Sequence, residues 1–392
     1  MRLTMMGLMK KARRSLYGYF AALAMVLAWF PSCAGKNGGR TLERRELFTL
    51  EYGACGKNVN FSTQGEVLLD FDAREGIFHI LDIASRKVMR LSSYGDVLSE
   101  LYDPEGSTPP EFIQKVEGSG KEPQTAPGRY AAATRMVAPT LVAVDSTQTL
   151  YLADKPAAPL SGGNVVRRFG SQGKELAFIG QEGPGGTPFK KITSLRVMDD
   201  DSLAVVSSTS EGYMLDRFAS DGSLLSALKM DSSGPALNAS AGYRANIDGM
   251  AFKGKDDVYE ITLKIDLYGE SVEKKSGASA GYDVVESWLV TLDGASGRQI
   301  SQFRVWAKGS TQEDPILLGQ RAGQYLLLQV GTGGSGYSLL VVDGKGKTRG
   351  KYRMELPEGM KLVSTLKLIQ GNRLTGIVGG DKSALALWWS LP

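Results

Sequence analysis

The sequence predicts an all-β chain folded as a six-bladed β-propeller, and three observations carry that prediction. Strand-like units with a shared internal spacing recur along almost the whole chain after residue 46. Glycine is abundant, 48 of 392 residues, as a chain of short strands and tight turns requires. The last unit is one strand short while an unpaired strand stands ahead of the first, so the two ends complete each other.

The chain opens with Arg2, Lys10, Lys11, Arg13 and Arg14, followed by an uncharged stretch from Leu16 to Phe30 (LYGYFAALAMVLAWF). A basic flank before a short apolar core is the physical form of an export signal. It falls short of the about 20 apolar residues that a membrane span needs. Residues 1–32 are therefore expected to be a lipoprotein signal peptide, cut ahead of Cys33, which becomes the lipidation site. In Phe30-Pro31-Ser32-Cys33, Ser32 has the small side chain that such a cleavage site prefers, whereas Phe30 and Pro31 depart from the strict pattern. An uncleaved N-terminal anchor and ordinary cleavage near Ala34 are the competing readings. Residues 33–45 are expected to be a tether, because Ala34 to Glu43 (AGKNGGRTLE) is polar and glycine-containing.

The propeller is expected over residues 46–392. The strand LFTLEYG, Leu47 to Gly53, has no local partner. Three well-matched units follow, Val67 to Leu101, Leu141 to Gly180 and Leu195 to Leu228. In each, an arginine in the third strand precedes a turn glycine by the same spacing: Arg90 and Gly95, Arg168 and Gly173, Arg217 and Gly222. Asp82 and Asp154 end the second strand of the first two. Residues 249–306 and 315–356 are more diverged units that keep Asp293-Gly294 and Asp343-Gly344 after the third strand, a turn pair that supplies positive φ. The last unit has only LVSTLKLI, RLTGIVGG and ALALWWSLP. The N-terminal strand at its outer edge closes the ring and removes an open edge.

Three segments interrupt the pattern: residues 102–138, an insert rich in Pro, Gly and charge that is expected to overhang the ring; Asp231 to Asp248; and Tyr268 to Tyr282, a long hairpin tip. They are either surface loops without a role or a recognition surface on a rigid scaffold.

The first unit carries Asp72, Ile77, Phe78, Asp82, Arg90, Leu91, Gly95 and Leu98, and the second Asp145, Leu150, Tyr151, Asp154, Arg168, Phe169 and Gly173. This pattern resembles the six-bladed propellers of the NHL-repeat and TolB-like type. With the cysteine after an export signal, the chain resembles the propeller lipoproteins of spirochaetes. The resemblance implies a location in the bacterial cell envelope and a binding or scaffold role, and it implies no catalytic residue.

The chain carries 46 basic and 42 acidic side chains, but five of the basic ones lie in residues 1–32, so the remainder has a net charge of −1. Nucleic acid is not an expected partner. With Cys33 lipidated, Cys55 has no partner for a disulfide and reads as a small buried side chain or free thiol. His79 is the only histidine, inside a strand, which argues against a hydrolase triad and against a catalytic zinc site. The string Gly331 to Gly336 (GTGGSG) matches a dinucleotide fingerprint but joins two strands, so it reads as a hairpin loop. Asp199-Asp200-Asp201 reads as a turn rather than a calcium site. Trp288, Trp306, Trp388 and Trp389 read as packing residues rather than sugar platforms. Val67, Val142, Val197 and Leu317, at or near the first strands, predict a central channel without clustered acids or amides.

The expected function is that of a lipid-anchored envelope propeller, non-catalytic, held to a membrane by its N-terminal lipid and binding a protein of the envelope, with no cofactor and no metal. The rivals are an envelope-assembly factor and a carbohydrate-active or lactonase-like propeller enzyme.

Overall fold

The computed structural model describes residues 40–392 apart from 54–55, 63–64, 111, 115–123, 126–128, 156–162, 181–188, 236, 238–241, 256–257, 273–278, 312, 332–335 and 370–371. Cys33, with the export segment before it, and Cys55 lie outside the described residues. The described chain is all β. It begins with β1 (Arg40–Thr41) and β2 (Arg44–Glu51). Blade one is β3 (Leu69–Arg74), β4 (Ile77–Asp82), β5 (Lys87–Ser92) and β6 (Val97–Tyr102). Then come β7 (Ile113–Gln114), β8 (Gln124–Thr125) and β9 (Tyr130–Ala133). Blade two is β10 (Leu141–Val144), β11 (Leu150–Asp154), β12 (Val165–Phe169) and β13 (Glu175–Ile179). Blade three is β14 (Lys191–Val197), β15 (Leu203–Ser208), β16 (Gly212–Phe218) and β17 (Leu224–Asp231). Blade four is β18 (Arg244–Lys255), β19 (Val258–Val272), β20 (Ser279–Asp293) and β21 (Gln299–Ala307). Blade five is β22 (Ile316–Arg321), β23 (Gln324–Val330), β24 (Tyr337–Asp343) and β25 (Thr348–Met354). Blade six is β26 (Lys361–Leu362), β27 (Lys367–Ile369), β28 (Arg373–Gly379) and β29 (Ser383–Ser390).

These sheets form the six blades of a propeller, with their first strands innermost. The ring closes as the sequence predicts: β2 pairs antiparallel with β29, from Arg44↔Trp389 to Glu51↔Ser383, and supplies the fourth strand of blade six. Each sheet has a neighbour on both faces. That is why β4 (IFHILD), β11 (LYLAD) and β15 (LAVVSS) read as nearly continuous apolar runs rather than strict alternation. The core is accordingly divided among the seams. Phe48, Phe71, Phe78 and Ala386 fill the seam between blades six and one, and Leu81, Val142, Leu152 and Phe169 the next.

The repeated arginine and glycine are seam devices. Arg90 donates to the carbonyl of Ser171 in the turn of blade two, and Arg168 to Asp221 (2.8 Å) and Ser220 in the turn of blade three. Each turn glycine lies where the preceding blade approaches. A Cβ on Gly222 would stand 2.7 Å from the Arg168 guanidinium, and one on Gly95 2.7 Å from the Phe48 Cβ of the closing strand. Gly95 also has φ +84°, which a side chain adopts only with strain. Gly95→Ala is expected to cost about 2–3 kcal/mol, combining that strain with displacement of β2. The midpoint of urea unfolding checks this, and an unchanged midpoint would show that β2 has room to move.

Three features differ from the sequence reading. The tether was expected to reach residue 45, but β1 pairs parallel with β25 (Arg40↔Tyr352) and Leu42 is buried in the seam core. A two-residue strand carries no alternation for a sequence pattern to reveal. The 102–138 insert is anchored at both ends rather than overhanging throughout. β9 lies parallel to β6 as a fifth strand, Met136 is buried, and the buried Asp103 accepts the Met136 N–H and pairs with Arg86 at 3.0 Å. Finally, LVSTLKLI is two short strands, β26 and β27. Ser364 Oγ accepts the Ile377 N–H at 2.9 Å, replacing a ladder carbonyl, and the chain leaves the sheet there. The Tyr268 to Tyr282 segment extends β19 and β20 as a paired ribbon, in line with the hairpin expected.

Candidate functional site

Among the described residues, a recess lies at each end of the axis. We call the face where each inner strand begins the upper face. The blade-to-blade connections and the links from second to third strands emerge there by topology, including the 102–138 insert and the 268–282 ribbon.

At the upper mouth, between blades five, six and one, is a cleft of about 1090 Å³. Val67, Leu68, Ile316, Leu318, Met360 and Leu366 line its interior. The break between β26 and β27 lies along it: residues 363–366 line the cleft, with Val363 and Ser364 still bonded to Ile377 of β28. Phe61, Leu68 and Ile316 are 43%, 37% and 48% exposed, so three large apolar side chains held partly in water share this one recess. Tyr52 and Phe61 contact each other at 4.7 Å, and the Tyr52 hydroxyl donates to the Gly380 carbonyl. The charged groups Glu66, Lys361 and Asp381 are exposed.

Below the cleft the channel carries charged groups, which corrects the expectation of a channel without clustered acids. Val142 is buried in a seam; Val197 and Leu317 do line the channel, and Asp70, Asp72, Arg196 and Lys367 line it beside them. The physical reason is the free edge of each inner strand, whose N–H groups need acceptors. Asp70 accepts the Val142 N–H at 2.8 Å and Asp72 the Val144 N–H at 2.9 Å, joining blade one to blade two. Lys367 of blade six pairs with Asp70 at 2.9 Å. Burial raises the Asp72 pKa, against the pull of Lys367 and Arg196. At the lower mouth, Arg74 pairs with Asp201 at 3.0 Å, and Asp201 also accepts the Ser146 N–H of blade two.

The remaining sequence candidates fall into structural places. His79 is buried in β4, and burial with the charge of Arg90 holds its pKa down to about 3, so it is neutral. The Asp199 to Asp201 run diverges: Asp200 accepts from Ser202 and pairs with Arg217, while Asp201 faces Arg74 and Ser146. Among the described residues, no group of three or more His, Cys, Asp or Glu side chains is placed to hold a metal ion. Gly331 and Gly336 close a hairpin between β23 and β24 through a 2.7 Å backbone bond. Trp389 is buried, Trp288 donates to Glu286, and Trp388 lies under Arg373 at 3.9 Å, so these three do not gather around a recess. Asp82 and Asp154, which end the second strands, accept backbone N–H groups of the incoming connections, Asn60 at 2.9 Å and Ala138 at 2.7 Å.

One cluster escaped sequence reading. Lys264 of β19 is almost wholly buried and donates to Asp248 at 2.9 Å, Asp266 at 2.7 Å and Asp314 at 2.8 Å. Burial opposes its charge, but the three carboxylates outweigh burial and raise its pKa. Asp266, in contrast, has its pKa raised by burial in spite of the lysine. The three acids lie far apart in sequence, and no spacing signals their meeting.

No protein-family model matches the chain, and no curated protein matches it. It is similar to a solved candidate exported protein from Bacteroides fragilis, at 10% identity and a TM-score of 0.43, covering 92% of this chain and 98% of that one. It is similar to a luciferin-regenerating enzyme at 8% identity and a TM-score of 0.43, covering 89% and 95%. A candidate gluconolactonase is similar at 10% identity and a TM-score of 0.39, covering 90% and 93%.

Proposed function

We propose that this chain is a lipid-anchored β-propeller of the bacterial cell envelope and acts as a non-catalytic binding or scaffold module. One observation carries the binding part: the connections between blades emerge together on one face of the ring, and the 102–138 insert among them is anchored to blade one through β9 and Asp103. A rigid ring with a recessed, partly apolar face is a binding architecture. The channel carboxylates support the non-catalytic part, since Asp70 spends its oxygens on Val142 and Lys367, and Asp72 on the N–H groups of Val144 and Ala73. A general acid or base needs a carboxylate within reach of a substrate proton. The envelope location rests on the export-type segment 1–32 and on Cys33.

The test is crosslinking in intact cells, followed by extraction, affinity capture and mass spectrometry. Residues 112–128 are replaced by a Gly-Ser linker in a parallel strain, which keeps Asp103, β9 and Met136 and so leaves the blade intact. One enriched envelope protein, lost with the replacement, is the expected result. No enriched protein would overturn the scaffold reading, and turnover of a simple sugar lactone by the purified chain would overturn the non-catalytic one.

A further inference from the structure

We infer that the upper cleft binds the aliphatic chain of a single-chain amphiphile, such as a long-chain fatty acid. The size admits such a ligand: about 1090 Å³ lies just above the usual range of ligand pockets, about 300 to 1,000 Å³. The lining decides the class. The apolar lining is branched aliphatics and a methionine, with Val67, Leu68, Ile83, Ile316, Leu318 and Met360 from three blades and their connections, beside Ser364 and Thr365. A peptide entering here brings N–H and C=O groups along its whole length, and only the free edges of the inner strands offer them partners, whereas an alkyl chain needs none. A sugar brings hydroxyls and favours an exposed aromatic face, but Tyr52 and Phe61 are engaged with each other. An alkyl chain brings no polar atom except at its head, and polar groups stand at the rim, where Glu66, Lys361 and Asp381 are exposed. Its methylenes gain what Phe61, Leu68 and Ile316 lose by standing partly in water.

This inference goes beyond the scaffold reading and does not need it, because the measurement uses the purified chain and no partner. The full chain, in detergent-free buffer, is titrated with a fluorescent long-chain polyene fatty acid kept below its micelle concentration. The expected result is saturable binding of one molecule per chain, displaced by palmitate and not by butyrate. Ile316→Glu and Leu68→Glu each place a carboxylate in the cleft at a partly exposed position. Each is expected to weaken binding by at least about tenfold, since burying a charge against an alkyl chain is costly. Leu225→Glu is the control: Leu225 is 51% exposed on the outer strand of blade three, outside the cleft, and its replacement leaves binding unchanged. Circular dichroism confirms that each variant is folded. Absence of saturable binding overturns the inference. So does equal binding by both cleft variants, equal weakening by the control, or binding only to acyl chains held in intact vesicles.

Discussion

Lys264→Met is expected to destabilise the propeller by about 3 kcal/mol or more, the range for removing one partner of a buried ion pair. The lysine is the cation on which Asp248, Asp266 and Asp314 converge, and its side chain is 1% exposed. Without it, three carboxylates face one another. Asp266 has least recourse to water, at 5% exposure against 43% for Asp248 and 24% for Asp314. The position gives the loss its reach. Asp248 sits at the bulge in β18, Lys264 and Asp266 lie in β19, and Asp314 belongs to the connection into blade five. The cluster therefore ties two strands of one blade to the start of the next. Two accompanying measurements separate electrostatics from lost packing. The deficit shrinks as the pH falls through the carboxylate range, because protonated carboxyls no longer repel. Adding Asp266→Asn to Lys264→Met restores part of the stability by removing the most buried charge. A loss under about 1 kcal/mol that stays flat with pH would mean that water already screens these acids.

The ring was legible because its seams demand repeated chemistry. Arg90 and Arg168 reach the turn of the following blade, and the turn glycine is small so that the preceding blade can approach. The spacing between arginine and glycine is thus a direct trace of blade-on-blade contact. The closing strand was legible for a negative reason, since LFTLEYG has no local partner. The additional edge strands were not. YAAA in β9 and RT in β1 are too short and too weakly patterned to stand out, and each is held by backbone pairing to a strand already complete. The acids of the channel were not legible because they serve a need that no pattern shows: Val67, Val197 and Leu317 do line the axial recesses, but the free edge of an inner strand also draws in acceptors, Asp70 and Asp72. The cleft was invisible for a different reason. It is built from Phe61 and from residues 65–69, 316–318 and 359–366, which lie far apart in sequence.

Cys33→Ala is expected to move nearly all of the protein from the membrane pellet to the soluble fraction. No helix among the described residues is long and apolar enough to cross a membrane. Beyond residue 32 the chain has 41 basic against 42 acidic side chains, so it lacks the basic excess that holds a protein to anionic lipid. Acyl chains contribute about 0.8 kcal/mol per buried methylene, and stable anchoring takes more than one of them. If the proposed lipid on Cys33 is the anchor, its loss is therefore expected to release the chain rather than weaken its attachment in part. Fractionation with a high-salt and a carbonate wash, read beside the size of the chain on a gel, gives the answer. A variant that stays in the washed pellet at full, unprocessed length would assign anchoring to the uncharged stretch from Leu16 to Phe30, acting as an uncleaved segment. A wild-type chain that is already soluble at processed length would instead place the cut near Ala34 and remove the lipid from the proposal.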